Sequence, residues 1–123
     1  MRVLREQGFN VFGYEPSLPK ATEFVANNKA EITGRFHGIF SNNVIEHFRD
    51  PVAEFRYFHQ ILEEKGQMVH TSPCYDYKYS FTRFHTLFLL GRSPFLLAEK
   101  TGFTAKPLSF NDSTMSFIYE KRT

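Results

Sequence analysis

The strongest constraint in this chain is the stretch from Phe36 to Pro73, where two apolar runs flank a helix whose ends are both marked. Phe36 to Ser41 (FHGIFS) is dense enough in apolar residues to suit a strand covered on both faces. Asn42-Asn43 follows as a loop. Asp50-Pro51 then opens a helix, with Asp50 as cap and Pro51 at the first helical position. Val52, Phe55, Phe58 and Leu62 fall on one stripe, with Ile61 alongside. Lys65-Gly66 reads as the helix end, a cation near the negative pole followed by a glycine stop. Gln67 to Thr71 (QMVHT) is the next strand, closed by Ser72-Pro73.

The flanks extend this alternation. Residues 1–7 read as the last turns of a helix stopped by Gly8. Phe9 to Glu15 (FNVFGYE) is a β-like run, with Phe9, Val11 and Phe12 expected to be buried and Glu15 at its carboxyl end. Ser17 is placed to cap a helix over residues 18–27, whose apolar face would be Ala21, Phe24 and Val25. Ser93-Pro94 opens a further helix through Lys100, with Gly102 as its stop. Residues 103–110 and 114–121, around a turn at Asn111-Asp112-Ser113, read as an antiparallel hairpin. The order predicts one α/β domain over residues 1–123, its sheet mostly parallel with an antiparallel hairpin at the C-terminal end. Ligands of such sheets bind beyond the carboxyl ends of the parallel strands. Three loops are expected there: Glu15 to Ser17, Ser41 to His47, and Ser72 to Tyr75.

Composition narrows the classes. The chain has 123 residues, and a single cysteine, Cys74, excludes an internal disulfide framework and a multi-cysteine zinc site. A net charge of +2 is too small to imply nucleic acid by itself. No apolar run approaches the roughly 18 residues of a membrane span, and no leader pattern opens the chain, so a cytoplasmic, reducing setting is expected. Fifteen Phe and six Tyr, with no Trp, point to a Phe-packed interior.

The motif FHGIFSNNVIEHFRDP, followed by a helix and LEEKGQMVHTSP, resembles the class I S-adenosylmethionine-dependent methyltransferases. It looks most like the branch with Glu-His after the fourth strand, an Asp-Pro helix start and a lysine–glycine–glycine turn before the fifth strand. The resemblance implies a Rossmann-like sheet and S-adenosylmethionine as cofactor. It implies that Glu15, ending a strand similar to the family's second, accepts bonds from the two cofactor ribose hydroxyls. Two carboxylate oxygens suit two vicinal donors. Ser41, Asn42 and Asn43 would line the cleft beside the methionine part and the transferring methyl. Glu46 and His47 would stand at the rim near the acceptor, with His47 as a candidate general base. Tyr75 and Arg83 would belong to the acceptor-recognition segment. The acceptor expected is a small molecule or glycan precursor, not nucleic acid or membrane.

The departures from the family are equally informative. Its first strand and glycine-rich loop are absent: the seven glycines (8, 13, 34, 38, 66, 91 and 102) contain no Gly-x-Gly. His37 stands where the family has Asp, and Lys65-Gly66-Gln67 lacks the second glycine. The short span from Glu15 to Phe36 leaves the family's third strand vestigial or missing. The chain therefore reads as a methyltransferase domain truncated at its amino end. Its central strands would either close the gap and pair, or leave an apolar sheet edge that favours a homodimer. A non-catalytic remnant or interaction module of the same fold is the alternative.

The remaining chemistry-bearing residues give weaker patterns. His37, His47, His59, His70 and His85 show no metal-ligand spacing, so no metal is expected. Cys74 reads as a packing residue. Tyr75 to His85 (YDYKYSFTRFH) interleaves aromatics with Lys78 and Arg83, which suits an acceptor-site lid, and a single-strand nucleic-acid platform less well.

Overall fold

A computed structural model describes residues 1–76, 87–110 and 115–122, with the side chains of residues 109 and 110 left aside. The chain forms two compact units, Met1–Gly34 and Arg35–Thr123.

The first unit holds helix α1 (Arg2–Glu6) and the two-residue strands β1 (Gly13–Tyr14) and β2 (Val25–Ala26), which pair in parallel. Gly8 follows α1 with φ of 94°, the left-handed turn expected of a helix stop. The expected helix over residues 18–27 does not form. Ser17 turns back instead of capping, and its backbone N–H and hydroxyl both donate to Glu15 Oε1. Asn27 Nδ2 donates to the Leu18 carbonyl, and Phe24 and Ala26 offer their carbonyls to the amides of Gly13 and Glu15. Those pairings draw Val25–Ala26 into a strand, and β-branched Val25 suits it better there than in a helix. The strand expected over residues 9–15 is likewise reduced to Gly13–Tyr14, and Phe9 and Phe12 are exposed while Val11 is half-buried. No residue of this unit is fully buried. The Arg5 guanidinium lies 3.5 Å from the centroid of the Phe24 ring and bonds the Val11 carbonyl, giving the unit a cation–π centre in place of an apolar core.

The second unit carries a four-stranded sheet in the order β3 (Phe36–Asn42), β4 (Leu62–Ser72), β6 (Met115–Lys121), β5 (Phe103–Phe110). Helices α2 (Pro51–Ile61) and α3 (Ser93–Thr101) connect it. β3 and β4 are parallel; β4–β6 and β5–β6 are antiparallel. The sheet is thus partly parallel, less so than the sequence implied, because the strands of the first unit pair with each other rather than adding to it.

Local chemistry explains the helix ends. Asp50 caps α2 by accepting the Ala53 amide at 3.0 Å, with Pro51 in the first turn. The helix stops at Ile61, before Lys65-Gly66. Lys65 takes a φ of 63°, and a Cβ on Gly66 would lie 2.8 Å from the Glu63 carbonyl oxygen. This pair makes the irregularity at which the β3–β4 register jumps from Phe36↔Leu62 to Gly38↔Gln67. α3 ends as its sequence predicts, with Gly102 at φ of 90°.

Aromatic side chains fill the core. Phe55 is fully buried, and its ring meets Tyr119 edge-on at 5.0 Å, Phe103 at 6.1 Å and Phe58 at 5.9 Å. Tyr75 packs on Phe117 at 4.5 Å. Among the described residues, no helix is long and apolar enough to cross a membrane.

Candidate functional site

The carboxyl ends of β3 and β4 carry the loops that the parallel-sheet rule singles out. At the end of β3, Ser41 is half-buried and its side chain meets His70 on β4, Oγ to Nδ1 at 2.6 Å. The other ring nitrogen of His70 lies 3.2 Å from Met68 Sδ. A thioether only accepts, so Nε2 carries the ring proton and Nδ1 accepts from Ser41. Ser41 therefore turns its hydroxyl proton inward and offers lone pairs elsewhere. Burial among the Phe55, Phe58 and Tyr119 rings pushes the His70 pKa down to about 3, so the imidazole stays neutral.

Asn42 and Asn43 are exposed, and Asn43 adopts a left-handed conformation (φ 57°) with its amide donating to the Thr71 carbonyl at 2.9 Å. This turn sends the chain into the short 3-10 turn Ile45–His47. Glu46 points inward and is 1% exposed, whereas His47 is exposed. Ser72 Oγ donates to Glu46 Oε2 at 3.0 Å and accepts the Cys74 amide at 3.1 Å. Among the described residues, Glu46 Oε1 is buried without a hydrogen-bond partner. A desolvated carboxylate oxygen left in that state is costly and is commonly held for a function.

The loop after β4 is tied down on both sides. Tyr75 is 6% exposed, and its hydroxyl donates to the His70 carbonyl while lying 2.8 Å from the Tyr119 hydroxyl. Burial raises the pKa of both phenols, so both remain protonated. Tyr75 contributes to the floor of the loop. Cys74 is buried, and burial first and the Glu46 charge after it push its thiol up to about 11, leaving it inert at neutral pH. The Leu89 amide donates to the Cys74 carbonyl at 2.8 Å, and the Leu87 amide to the Glu46 carbonyl at 3.2 Å. Arg83, with the rest of residues 77–86, lies outside the described residues.

Glu15 belongs to the other unit. It follows β1 and is a charged, exposed side chain, with its pKa lowered by the Ser17 hydroxyl and then by the Ser17 amide. The second unit thus brings together Ser41, Asn42, Asn43 and Glu46 with Ser72 and Tyr75. Sequence reasoning missed the Ser41–His70 pair and the inward turn of Glu46. A signal for the first existed: Met68, His70 and Ser72 alternate along β4 and share its buried face. Among the described residues, no group of three or more His, Cys, Asp or Glu side chains could hold a metal ion.

The Methyltransferase domain family matches residues 1–118. The chain belongs to that family. Solved structures agree at the level of fold for this methyltransferase-domain chain. The pyocyanin biosynthetic protein PhzM is similar with a TM-score of 0.61 at 8% identity, over 79% of this chain and 34% of its own. A methyltransferase from Pyrococcus furiosus gives 0.53 at 17% identity, over 80% and 49%. A possible exported protein from Bordetella parapertussis gives 0.55 at 18%, over 80% and 44%. The chain therefore spans between about a third and a half of the proteins it matches. No curated protein matches the sequence.

The unpartnered oxygen of Glu46 gives a direct prediction. Replacing Glu46 with Met removes a buried carboxylate at similar volume, and Ser72 keeps its bond from Cys74. The variant is expected to be as stable as the parent or up to about 2 kcal/mol more stable, read by urea denaturation. A loss of more than about 2 kcal/mol would show that the carboxylate holds the fold together.

Proposed function

We propose that this methyltransferase-domain chain binds S-adenosylmethionine and contributes to methyl transfer onto an oxygen, nitrogen or carbon of a small metabolite or glycan precursor. The observation that carries the reading is the family match across residues 1–118. The loops at the carboxyl ends of β3 and β4 support it, because they hold polar side chains at the place where this type of sheet receives ligands.

The residues fit the cofactor in part. Glu15 stays ionised and exposed, as a carboxylate that accepts from vicinal hydroxyls must be. Its Oε1 already takes two bonds from Ser17, which fixes the carboxylate's orientation. Ser41, with its proton directed to His70, presents oxygen lone pairs, which suit a cationic sulfur or an ammonium group. When bound, the cofactor supplies an electrophilic methyl group, so the protein's task is mainly to orient the acceptor in line with it. Glu46 Oε1 is the group suited to hold an acceptor O–H or N–H, and exposed His47 is suited to take a proton at the rim. Tyr75 and Arg83 complete the acceptor segment in this reading.

Titration of the chain with S-adenosylmethionine in a calorimeter, beside a Glu15→Ala variant, tests the proposal. Micromolar binding by the parent is expected, with a loss of about tenfold or more in the variant, the size of one charge-assisted hydrogen-bond pair. A folded parent that takes up no cofactor would overturn the reading for this chain.

A further inference from the structure

Ser41 and His70 are register partners on the parallel strands β3 and β4, so the bond between them is built into the sheet of the second unit. The imidazole is fully buried, and the rings of Phe55, Phe58 and Tyr119 lie 5.5, 5.5 and 5.8 Å from it. Its two nitrogens meet Ser41 Oγ and Met68 Sδ, at 2.6 and 3.2 Å. A buried polar ring costs stability unless its nitrogens are bonded, and an apolar side chain would fill the same aromatic pocket without that cost. Packing therefore gives no reason for an imidazole here; its bond to Ser41 does.

The consequence lies in the protons. A serine hydroxyl has one proton and two lone pairs, and an unconstrained serine rotates it to suit either kind of partner. Here Met68 Sδ can only accept, so Nε2 holds the ring proton and bare Nδ1 takes the proton of Ser41. Ser41 has none left to donate and is an acceptor toward every other group. It is half-buried and stands one residue before the carboxyl end of β3, where a sheet of this type receives ligands. A fixed acceptor at that place favours a positive group and disfavours an anion. Farther along the turn, Glu46 adds a carboxylate of the same sign, held by Ser72, which follows His70 on the same buried face of β4.

We infer that His70 is a positioning residue, which holds the Ser41 hydroxyl as a pure acceptor so that the end of β3 selects a positively charged group of the ligand. The inference rests on the proposed S-adenosylmethionine reading, and the group is then a cation of the methionine part, its sulfonium or its ammonium. Removing the Ser41 hydroxyl removes the recognition. Removing the imidazole frees the hydroxyl to rotate and weakens the recognition less. One hydrogen bond of ordinary strength is worth about threefold to tenfold in binding, which sets the scale of both effects.

Two readouts on the full chain test the inference. In isotopically labelled protein near neutral pH, nitrogen–proton correlation spectra should show His70 protonated at Nε2, and Ser41→Ala should shift the Nδ1 resonance. Calorimetry with S-adenosylmethionine and with S-adenosylhomocysteine, which lacks the methyl group and with it the charge on sulfur, reads the selectivity. Ser41→Ala should weaken S-adenosylmethionine binding about tenfold and His70→Leu about threefold. His70→Gln, whose amide oxygen still accepts the Ser41 proton, should bind as the parent does. Circular dichroism checks that each variant is folded. A loss confined to S-adenosylmethionine assigns the sulfonium, and an equal loss for both ligands assigns the ammonium. His70 protonated at Nδ1 overturns the inference. So do binding constants that Ser41→Ala leaves unmoved, or a His70→Gln variant as impaired as His70→Leu. A chain that binds neither ligand overturns the proposed function, and the tautomer then decides alone whether His70 holds the Ser41 proton.

Discussion

Phe55→Ala is expected to destabilise the second unit by about 3–5 kcal/mol, the range for removing a buried aromatic ring from a packed core. The ring is completely enclosed, and four other rings, those of Phe58, His70, Phe103 and Tyr119, lie with centroids between 5.0 and 6.1 Å from it. These neighbours come from α2, β4, β5 and β6, so the cavity would open where a helix and three strands meet. They are rigid aromatics and cannot collapse into the space as aliphatic chains can. A domain of this size has about 5–15 kcal/mol of total stability, so the loss takes a large share of it. The chain has no tryptophan, and far-UV circular dichroism in urea is the suitable readout. A loss below about 1 kcal/mol would mean that the ring is not packed as described.

Acid should unfold the protein earlier than its carboxylates alone would. His70 is fully enclosed and its folded pKa lies near 3, against an ordinary value of 6.5. Between those values the unfolded chain binds a proton that the folded chain refuses. The His70 contribution to stability is therefore complete above about pH 6.5 and is lost progressively as the pH falls toward 3. At pH 4 the loss is on the order of 3 kcal/mol. His70→Gln keeps a neutral hydrogen-bonding group and has no such titration. Urea midpoints at pH 7 and pH 4 should fall much further for the parent than for the variant. Equal falls in both would remove His70 from the account.

Much of the second unit was legible in advance because its signals are local. Asp50-Pro51 and Gly102 act through their own backbone angles and caps, and the paired strands Phe103–Phe110 and Met115–Lys121 through alternation, while the turn expected at Asn111-Asp112-Ser113 lies outside the described residues. The first unit was misread for the opposite reason. Ser17 has the chemistry of a helix cap, yet it bonds to Glu15, and Val25 is drawn to the backbone of Gly13. That competition between a local helix and a parallel pairing leaves no mark in a window of ten residues. Lys65-Gly66 was misread in a subtler way. The pair does mark a turn, but the turn sits inside β4, where it shifts a register instead of ending a helix. At the candidate site, the positions of Ser41, Asn42 and Asn43 at a strand end could be read from the pattern. The direction of Glu46 could not, because it depends on Ser72, 26 positions away.

The backbone bonds from Leu87 to Glu46 and from Leu89 to Cys74 tie the turn after β3, the turn after β4 and the segment before α3 to one another. An opening motion at any one of the three must break a bond held by another. The rim of the sheet therefore breathes as one cooperative unit, not loop by loop.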